Sequence, residues 1–316
     1  MFLNTPAFRI HLGLFAVSLI FGINSVTSKI LLKDIAPFGL VTIRISVAAV
    51  LLWVLHRLFV KESIQSVGDY VRLAWYSIFG IVINQTLFLK GLSLTTAINA
   101  TVLVTAIPVV TILIAILSRK EKASFRKIAG SLMAFGGIFV LLGSERIDFS
   151  NDYFIGNLLV FLNGVSFAIF LVISKDILKK YRPATVVTWN FIFGSLGVLP
   201  FGWTELWQTN PAAFSLTTWL CLGFLILFAS VLVYYINGWA LQRSSPSTVA
   251  VYIYIQPLIT TIISMRVLDE RLHGSTILAA VLIFAGILLV SLRIKEEMSR
   301  PDDLDIIRES AALKEE

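Results

Sequence analysis

The 316-residue chain is 57% apolar and only 14% charged, with a mean hydropathy of +0.86, whereas a soluble domain carries roughly a quarter charged residues. Its charges avoid windows of about 20 residues, the length a helix needs to cross the hydrocarbon core, so the length that would fit two soluble domains is spent on membrane spans instead. The net charge of +7 does not indicate a nucleic-acid partner, because the basic residues sit beside apolar windows rather than along one solvated stripe.

In chain order, ten windows are predicted as transmembrane helices: Ile10–Leu31, Pro37–Leu55, Val71–Leu92, Ala97–Leu117, Phe125–Leu142, Gly156–Ile173, Ala184–Trp203, Leu216–Trp239, Pro246–Leu268 and Ser275–Leu292. The fold class is therefore all-α integral membrane. The first window has Arg9 in front, as a signal peptide would. Lys29 follows it with no small-residue cleavage site, and it has a counterpart later in the chain, so it is read as a mature helix.

Lys and Arg set the orientation, since cytoplasmic loops retain positive charge. With the amino terminus inside, the inner segments hold Arg9; Arg57, Lys61 and Arg72; Arg119, Lys120, Lys122, Arg126 and Lys127; Lys175, Lys179, Lys180 and Arg182; Arg243; and Arg293, Lys295, Arg300, Arg308 and Lys314. The outer segments hold only Lys33, Arg146, Arg266 and Arg271. Both termini are expected to be cytoplasmic. The tail after Leu292 is charged, contains Pro301-Asp302-Asp303, and is expected to be dispensable for activity.

The chain repeats itself. Pro108 to Gly137 matches Pro257 to Gly286 at an offset of 149: Pro108 meets Pro257, Glu121 meets Glu270, Lys122 meets Arg271, and Gly137-Ile138 meets Gly286-Ile287. Leu92 meets Leu241 at the same offset. Earlier the offset is 146, where Ser28-Lys29 meets Ser174-Lys175 and Pro37 meets Pro183. The two units are residues 10–142 and 156–292, followed by a tail, 293–316. Five spans is an odd number, so two five-helix repeats must lie inverted in the membrane. Inverted repeats are a recurring transporter plan with the solute site near the midplane, and exchange of conformation between the halves gives alternating access.

These residues resemble the drug/metabolite transporter superfamily, specifically its EamA-type ten-helix members, over roughly residues 10 to 292. The likeness is carried by Phe21-Gly22-Ile23-Asn24, Arg44, Gly91-Leu92, Thr95-Thr96-Ala97, Pro108 and Glu121. In the second unit it continues through Ala240-Leu241, Ser245-Pro246, Pro257 and Asp269-Glu270-Arg271-Leu272. Family members often have tryptophan at the position of Phe21 and glycine at those of Lys120 and Asp269. The resemblance implies a central cavity lined by the first four helices of each unit, with the fifth and tenth peripheral. It also implies a multi-pass protein of the plasma membrane, bacterial inner membrane in type. Amino acids, other metabolites and drugs are all family substrates, so the resemblance fixes none of them; an amino acid or related solute, exported or exchanged, is the expectation.

Polar residues inside spans need partners. At a rise of about 1.5 Å per residue, Arg44 lies roughly 10 Å inside its span. Asn24, Gln85, Asn99 and Asn163 fall in the outer halves of theirs, Gln256 near the middle, and Asn190, Tyr235 and Tyr252 in the inner third. Arg44 has two readings: a guanidinium that grips a carboxylate or phosphate through paired hydrogen bonds, or a structural arginine bonded to helix-end carbonyls. Its repeat counterpart is Asn190, so the charge exists in one unit only. Thr248, Tyr252 and Gln256 recur every four residues and are expected on one helix face. Trp189 and Trp239 add aromatic walls, or join an interfacial belt with the other tryptophans. The candidate substrate-binding set is thus Arg44, Asn24, Gln85, Asn99, Asn163, Asn190, Tyr252, Gln256, Trp189 and Trp239. Lys29, Lys90 and Lys175, near span ends, are expected to snorkel. Gly130, Ala134 and Gly137, at i, i+4 and i+7, mark close helix packing, within the chain or between two copies in a homodimer.

Cys221 is the sole cysteine, which excludes an intrachain disulfide and a cysteine metal cluster; its apolar window assigns it to packing. His11, His56 and His273 fall at window ends, and their spacing proposes no metal site. The sequence carries no GxxxxGK[ST] phosphate loop and no cofactor motif. Its acidic residues all lie in loops, at span ends or in the tail, which favours facilitated diffusion or exchange over proton or sodium coupling. Partners are therefore a small-molecule substrate and the lipid bilayer. The competing classes are a membrane-embedded enzyme, for which Ser28-Lys29 is a weak pair, and a non-transporting receptor or scaffold, which would not need inverted repeats.

Overall fold

The computed structural model describes residues 6–118, 124–143 and 151–291, and every regular element among them is helical. In the first unit these are α1 (Pro6–Leu31), α2 (Pro37–Leu55), α3 (Val67–Ser77), α4 (Asn84–Leu94), α5 (Ala97–Val104), α6 (Ile107–Leu117) and α7 (Phe125–Gly143). In the second they are α8 (Asp152–Ile177), α9 (Pro183–Gln208), α10 (Leu216–Phe224), α11 (Val233–Arg243), α12 (Pro246–Val251), α13 (Gln256–Val267) and α14 (Gly274–Ser291). Lys120, Glu121, Lys122 and the 293–316 tail lie outside the described residues.

Eight continuous stretches are long and apolar enough to cross a membrane: Phe8–Leu31, Pro37–Val60, Val67–Leu94, Ala97–Leu117, Asp152–Ile177, Pro183–Gln208, Leu216–Arg243 and Thr248–Val267. Two shorter apolar helices, Ile128–Leu142 and Gly274–Gly286, lie in α7 and α14. With 19 and 18 residues, these two reach about 28 and 27 Å at the helical rise, close to a hydrocarbon core of about 30 Å.

Several helices begin or break where the backbone chemistry demands it. Pro37 and Pro183 occupy the first turns of α2 and α9, where proline's missing N–H leaves no intrahelical bond unmade. Ser66, whose side chain accepts from the Asp69 N–H, starts α3 four residues earlier than hydropathy places it. Pro108 and Pro257 act inside spans. The first separates α5 from α6 at Thr105–Ala106; the second follows a 3-10 turn, Tyr252–Ile255, between α12 and α13. That turn corrects the expectation that Thr248, Tyr252 and Gln256 share one face, since the four-residue period does not survive a 3-10 segment. A second pair of irregularities sits at Ile78–Ile83, between α3 and α4, and Leu225–Leu232, between α10 and α11. Both are π-helical and in register at the 149 offset.

The repeat extends to individual bonds. Lys29 Nζ donates to the carbonyls of Leu92 (2.7 Å) and Thr95 (2.5 Å), and Lys175 Nζ donates to those of Leu241 and Ser244, the same positions 149 residues on. The snorkelling expectation for these two lysines is therefore corrected. Each ammonium caps the last turn of a helix, where orphan carbonyls and the macrodipole attract a cation. Glu270 completes the outer turn by accepting from the Ala97 and Ile98 N–H groups (2.7 and 3.0 Å) at the start of α5.

Reciprocal contacts tie the units together. Lys180 Nζ and the Tyr181 hydroxyl both donate to Asp69 (2.5 and 2.7 Å), and the hydrogen bond to Asp69 holds the Lys180 ammonium above its usual pKa. At the corresponding positions of the opposite pairing, Thr218 Oγ1 donates to Asp34 (2.6 Å). Glu205 accepts from the Gly39 N–H in the first turn of α2, and Glu62 accepts from the Arg182 N–H just before α9.

The small-residue seam of α7 closes on α14. A methyl group at Gly137 would stand 2.7 Å from the Ala279 carbonyl, and one at Gly286 would collide with the Gly130 carbonyl and Ala134. Ala134, Ile138, Ala279 and Ile283 are buried along this seam.

Candidate functional site

The two proline breaks converge on one cavity. Its walls come from α1 (Phe21, Asn24, Ser25), α2 (Arg44), α4 (Asn84, Gln85, Phe88) and the α5–α6 break (Val104, Ile107). The second unit supplies α8 (Asn163, Phe167), α11 (Tyr234) and the α12–α13 break (Ile253, Gln256). Four pairs of lining residues are related by the repeat offsets: Phe21 and Phe167, Gln85 and Tyr234, Val104 and Ile253, Ile107 and Gln256. The cavity offers about 60 Å³ to the centres of water-sized molecules, room for a few waters at about 10–15 Å³ each. A larger solute needs the helices to part.

Arg44 is 1% exposed. Its Nε donates to Ser230 Oγ (2.7 Å) and its Nη2 to the Ala229 carbonyl (3.2 Å), both in the π-helical segment of the second unit, while Nη1 has no partner. Ser230 passes its own proton to the Leu225 carbonyl. Two nitrogens are thus anchored and the third is left unpaired on a residue that lines the cavity. Gln85 Nε2 donates to Tyr234 Oη (2.6 Å) and Asn84 Oδ1 (2.8 Å), and the Tyr234 hydroxyl donates to the Gly80 carbonyl (3.3 Å). Asn84 and Asn163 exchange amide-to-carbonyl bonds across α4 and α8. Asn24 Oδ1 and Gln85 Oε1 remain without partners. The cavity therefore combines one formal cation with unmet neutral acceptors, and the residues described around it include no carboxylate. A buried polar atom left unpaired costs about 1–3 kcal/mol, so such a cluster favours entry of a polar group that can pair with it.

Of the ten residues predicted, Asn24, Arg44, Gln85, Asn163 and Gln256 meet here. The others stand apart. Asn99 accepts from Thr276 Oγ1 (2.8 Å) and donates to Tyr153 Oη (3.4 Å), tying α5 to α14 and α8. Tyr252 pairs its hydroxyl with His11 Nδ1 (2.6 Å) and its carbonyl with Ser18 (2.5 Å). Trp189 packs edge-on to Tyr70, and Trp239 lies beneath the Arg243 guanidinium. Asn190 lines a separate cavity in the second unit, and Tyr235 is exposed. Asn84, Ser230 and Tyr234 were missed by the sequence reasoning. Tyr234 was legible as the 149-offset mate of Gln85, while Ser230 carries no sequence signal beyond a hydroxyl in an apolar run.

The sequence profile of the EamA-like transporter family matches residues 8–143 and 154–292. An uncharacterized transporter of Archaeoglobus fulgidus is 28% identical over 286 residues, covering 90% of this chain and 97% of that protein. The uncharacterized transporter YyaM of Bacillus subtilis is 24% identical, covering 71% and 72%. The WAT1-related protein At2g40900 of Arabidopsis thaliana is 24% identical, covering 85% and 74%. A crystal structure 17% identical superposes with a TM-score of 0.66 over 93% of this chain and 99% of its own, a likeness of fold alone.

Proposed function

From the premise that this chain belongs to the EamA-like transporter family, within the drug/metabolite transporter superfamily, we propose that it carries a small organic anion, an amino acid or related solute, by alternating access. The matched relatives are named transporters, which supports a membrane transport protein with a small-molecule substrate. In our reading α7 and α14 are the fifth and tenth spans. Residues 10–142 and 156–292 form inverted units, and both termini and the 293–316 tail face the cytoplasm of a bacterial-type plasma membrane. The cap on α4 by Lys29 and the same cap on α11 by Lys175 support that equivalence. Export or exchange without ion coupling fits a cavity with no described carboxylate.

The observation that carries the substrate class is Arg44 Nη1, buried at the cavity without a partner while the other two guanidinium nitrogens are held. A solute carboxylate accepting from Nη1 satisfies it through a charge-assisted bond. Because Nε and Nη2 are engaged already, the contact is a single prong rather than the paired grip expected from sequence. Asn24, Gln85 and Gln256 serve the neutral groups of the solute.

The test compares Arg44→Lys and Arg44→Gln with the parent in liposome counterflow, using one transported amino acid and its uncharged amide. Arg44→Gln is expected to weaken the anion selectively. Arg44→Lys is expected to recover only part of the loss, because lysine keeps the charge but not the anchors to Ser230 and Ala229. Equal weakening of both ligands by a folded Arg44→Gln protein would make the arginine structural and end this reading.

A further inference from the structure

A second cavity lies within the second unit, between α8, α9 and α11, toward the face at which α8 ends. Half of its twelve lining residues stand at the repeat offsets from residues of the central cavity, with Phe170 and Leu171 in place of the polar Asn24 and Ser25. Asn190 and Asn237 stand where Arg44 and Phe88 stand in the first unit, and Ser174 is the repeat counterpart of Ser28. Phe167 and Tyr234 line both cavities and form the wall between them.

The correspondence includes unmet hydrogen bonding. Ser28 and Ser174 both keep a fully buried hydroxyl without a partner, and Arg44 Nη1 is matched by Asn190, whose Nδ2 and Oδ1 are both unpartnered. Asn190 is 2% exposed. A helix-packing asparagine would bond a neighbour, as Asn163 does with Asn84; this residue instead lines a cavity with its amide unpaired. That space now offers about 20 Å³ to water-sized centres, enough for a single small group at about 10–15 Å³ per water.

We propose that this cavity is a second solute-binding site, which takes the uncharged hydrogen-bonding part of a small organic solute, an amide or hydroxyl, on Asn190 and Ser174. The inference rests on the alternating-access reading: when the units exchange conformations, the second cavity widens as the first contracts. Asn190 offers a donor and an acceptor but no charge, so the two sites are chemically unequal. The guanidinium site holds the anion, and the amide site receives the solute past Tyr234 and lets it go.

The test uses the full chain with Cys221→Ser, which removes the native thiol, and introduces Ser174→Cys or Asn190→Cys; the serine exchange is nearly isosteric and guards against misfolding. A charged, impermeant methanethiosulfonate is applied to reconstituted protein from one face at a time, with and without a mixture of proteinogenic amino acids. Both thiols are expected to react from the face at which α8 ends and not from the opposite one. An amino acid that the same liposomes exchange is expected to slow the reaction several-fold. Thiols inert from both faces, or a rate indifferent to an exchanged amino acid, overturn the second site. Liposomes that exchange no amino acid refute the amino-acid reading of the central cavity alone, and the sided labelling of Ser174→Cys then decides the second site by itself.

Discussion

Asp269 has φ of 54°, in the left-handed region where an L side chain is disfavoured and glycine is not. It follows the end of α13 at Leu268, and the next residue, Glu270, returns its N–H to the Ser264 carbonyl (3.3 Å). The turn exists to aim Glu270 at the first N–H groups of α5. The positive φ gives a physical reason for the glycine that the family resemblance places at this position. Asp269→Gly is expected to keep or raise the melting temperature in detergent. Asp269→Val is expected to lose on the order of 1–2 kcal/mol, since a β-branched residue is strained at positive φ. Identical melting of the two variants would remove the constraint. The lysine pair teaches a related lesson: a span-end lysine reads as snorkelling from hydropathy alone. The carbonyls that capture Lys29 lie more than 60 residues away in sequence, beyond the reach of any local pattern.

At the scale of elements, the apolar windows were legible because hydropathy and length act locally, whereas interruptions inside them were only half legible. Pro108 and Pro257 announce a break, but the 3-10 turn at Tyr252–Ile255 and the π-helical segments carry no comparable local signal. These irregular stretches carry the site: Arg44 bonds the π-helical Ala229 and Ser230, and the proline breaks line the cavity. Small residues at helix crossings were legible as a motif, and the structure supplies the partner, α14 on α7. Gly286→Leu is expected to destabilise the protein by about 1–3 kcal/mol through overpacking, read as a lower melting temperature. The same substitution at Gly136, where an added methyl group meets nothing, is expected to be nearly neutral. Equal effects at both positions would show that the seam does not hold the two helices.

For the whole molecule, the proposed inverted arrangement makes a topological prediction. Reporter fusions after Leu292 and within Lys179–Arg182 are expected on one side, the cytoplasm, and a fusion within Glu205–Asn210 on the other. Opposite locations for the first two would place the two units in the same sense and remove the physical basis for alternating access. Two contacts between the units occupy matching positions of opposite units, Asp69 with Lys180 and Asp34 with Thr218. The Lys180–Asp69 pair is partly solvated, and such pairs contribute at most about 1 kcal/mol, so it ties the units only weakly.

The sequence by itself determined the class, the helical windows, the duplication at offsets of 146 and 149, and five of the fourteen residues that line the central cavity. Each of these depends on composition, on a length set by the bilayer, or on residues compared with their own repeat. Only the tertiary structure decided which polar side chains face one another. Asn24, Arg44, Gln85, Asn163 and Gln256 converge, while Asn99 is consumed by Thr276 and Tyr153. Depth along a helix follows from counting residues, but facing depends on rotation about the helix axis. In an all-apolar span that rotation leaves no amphipathic stripe to read, because lipid and protein interior are nearly equivalent solvents for an aliphatic side chain.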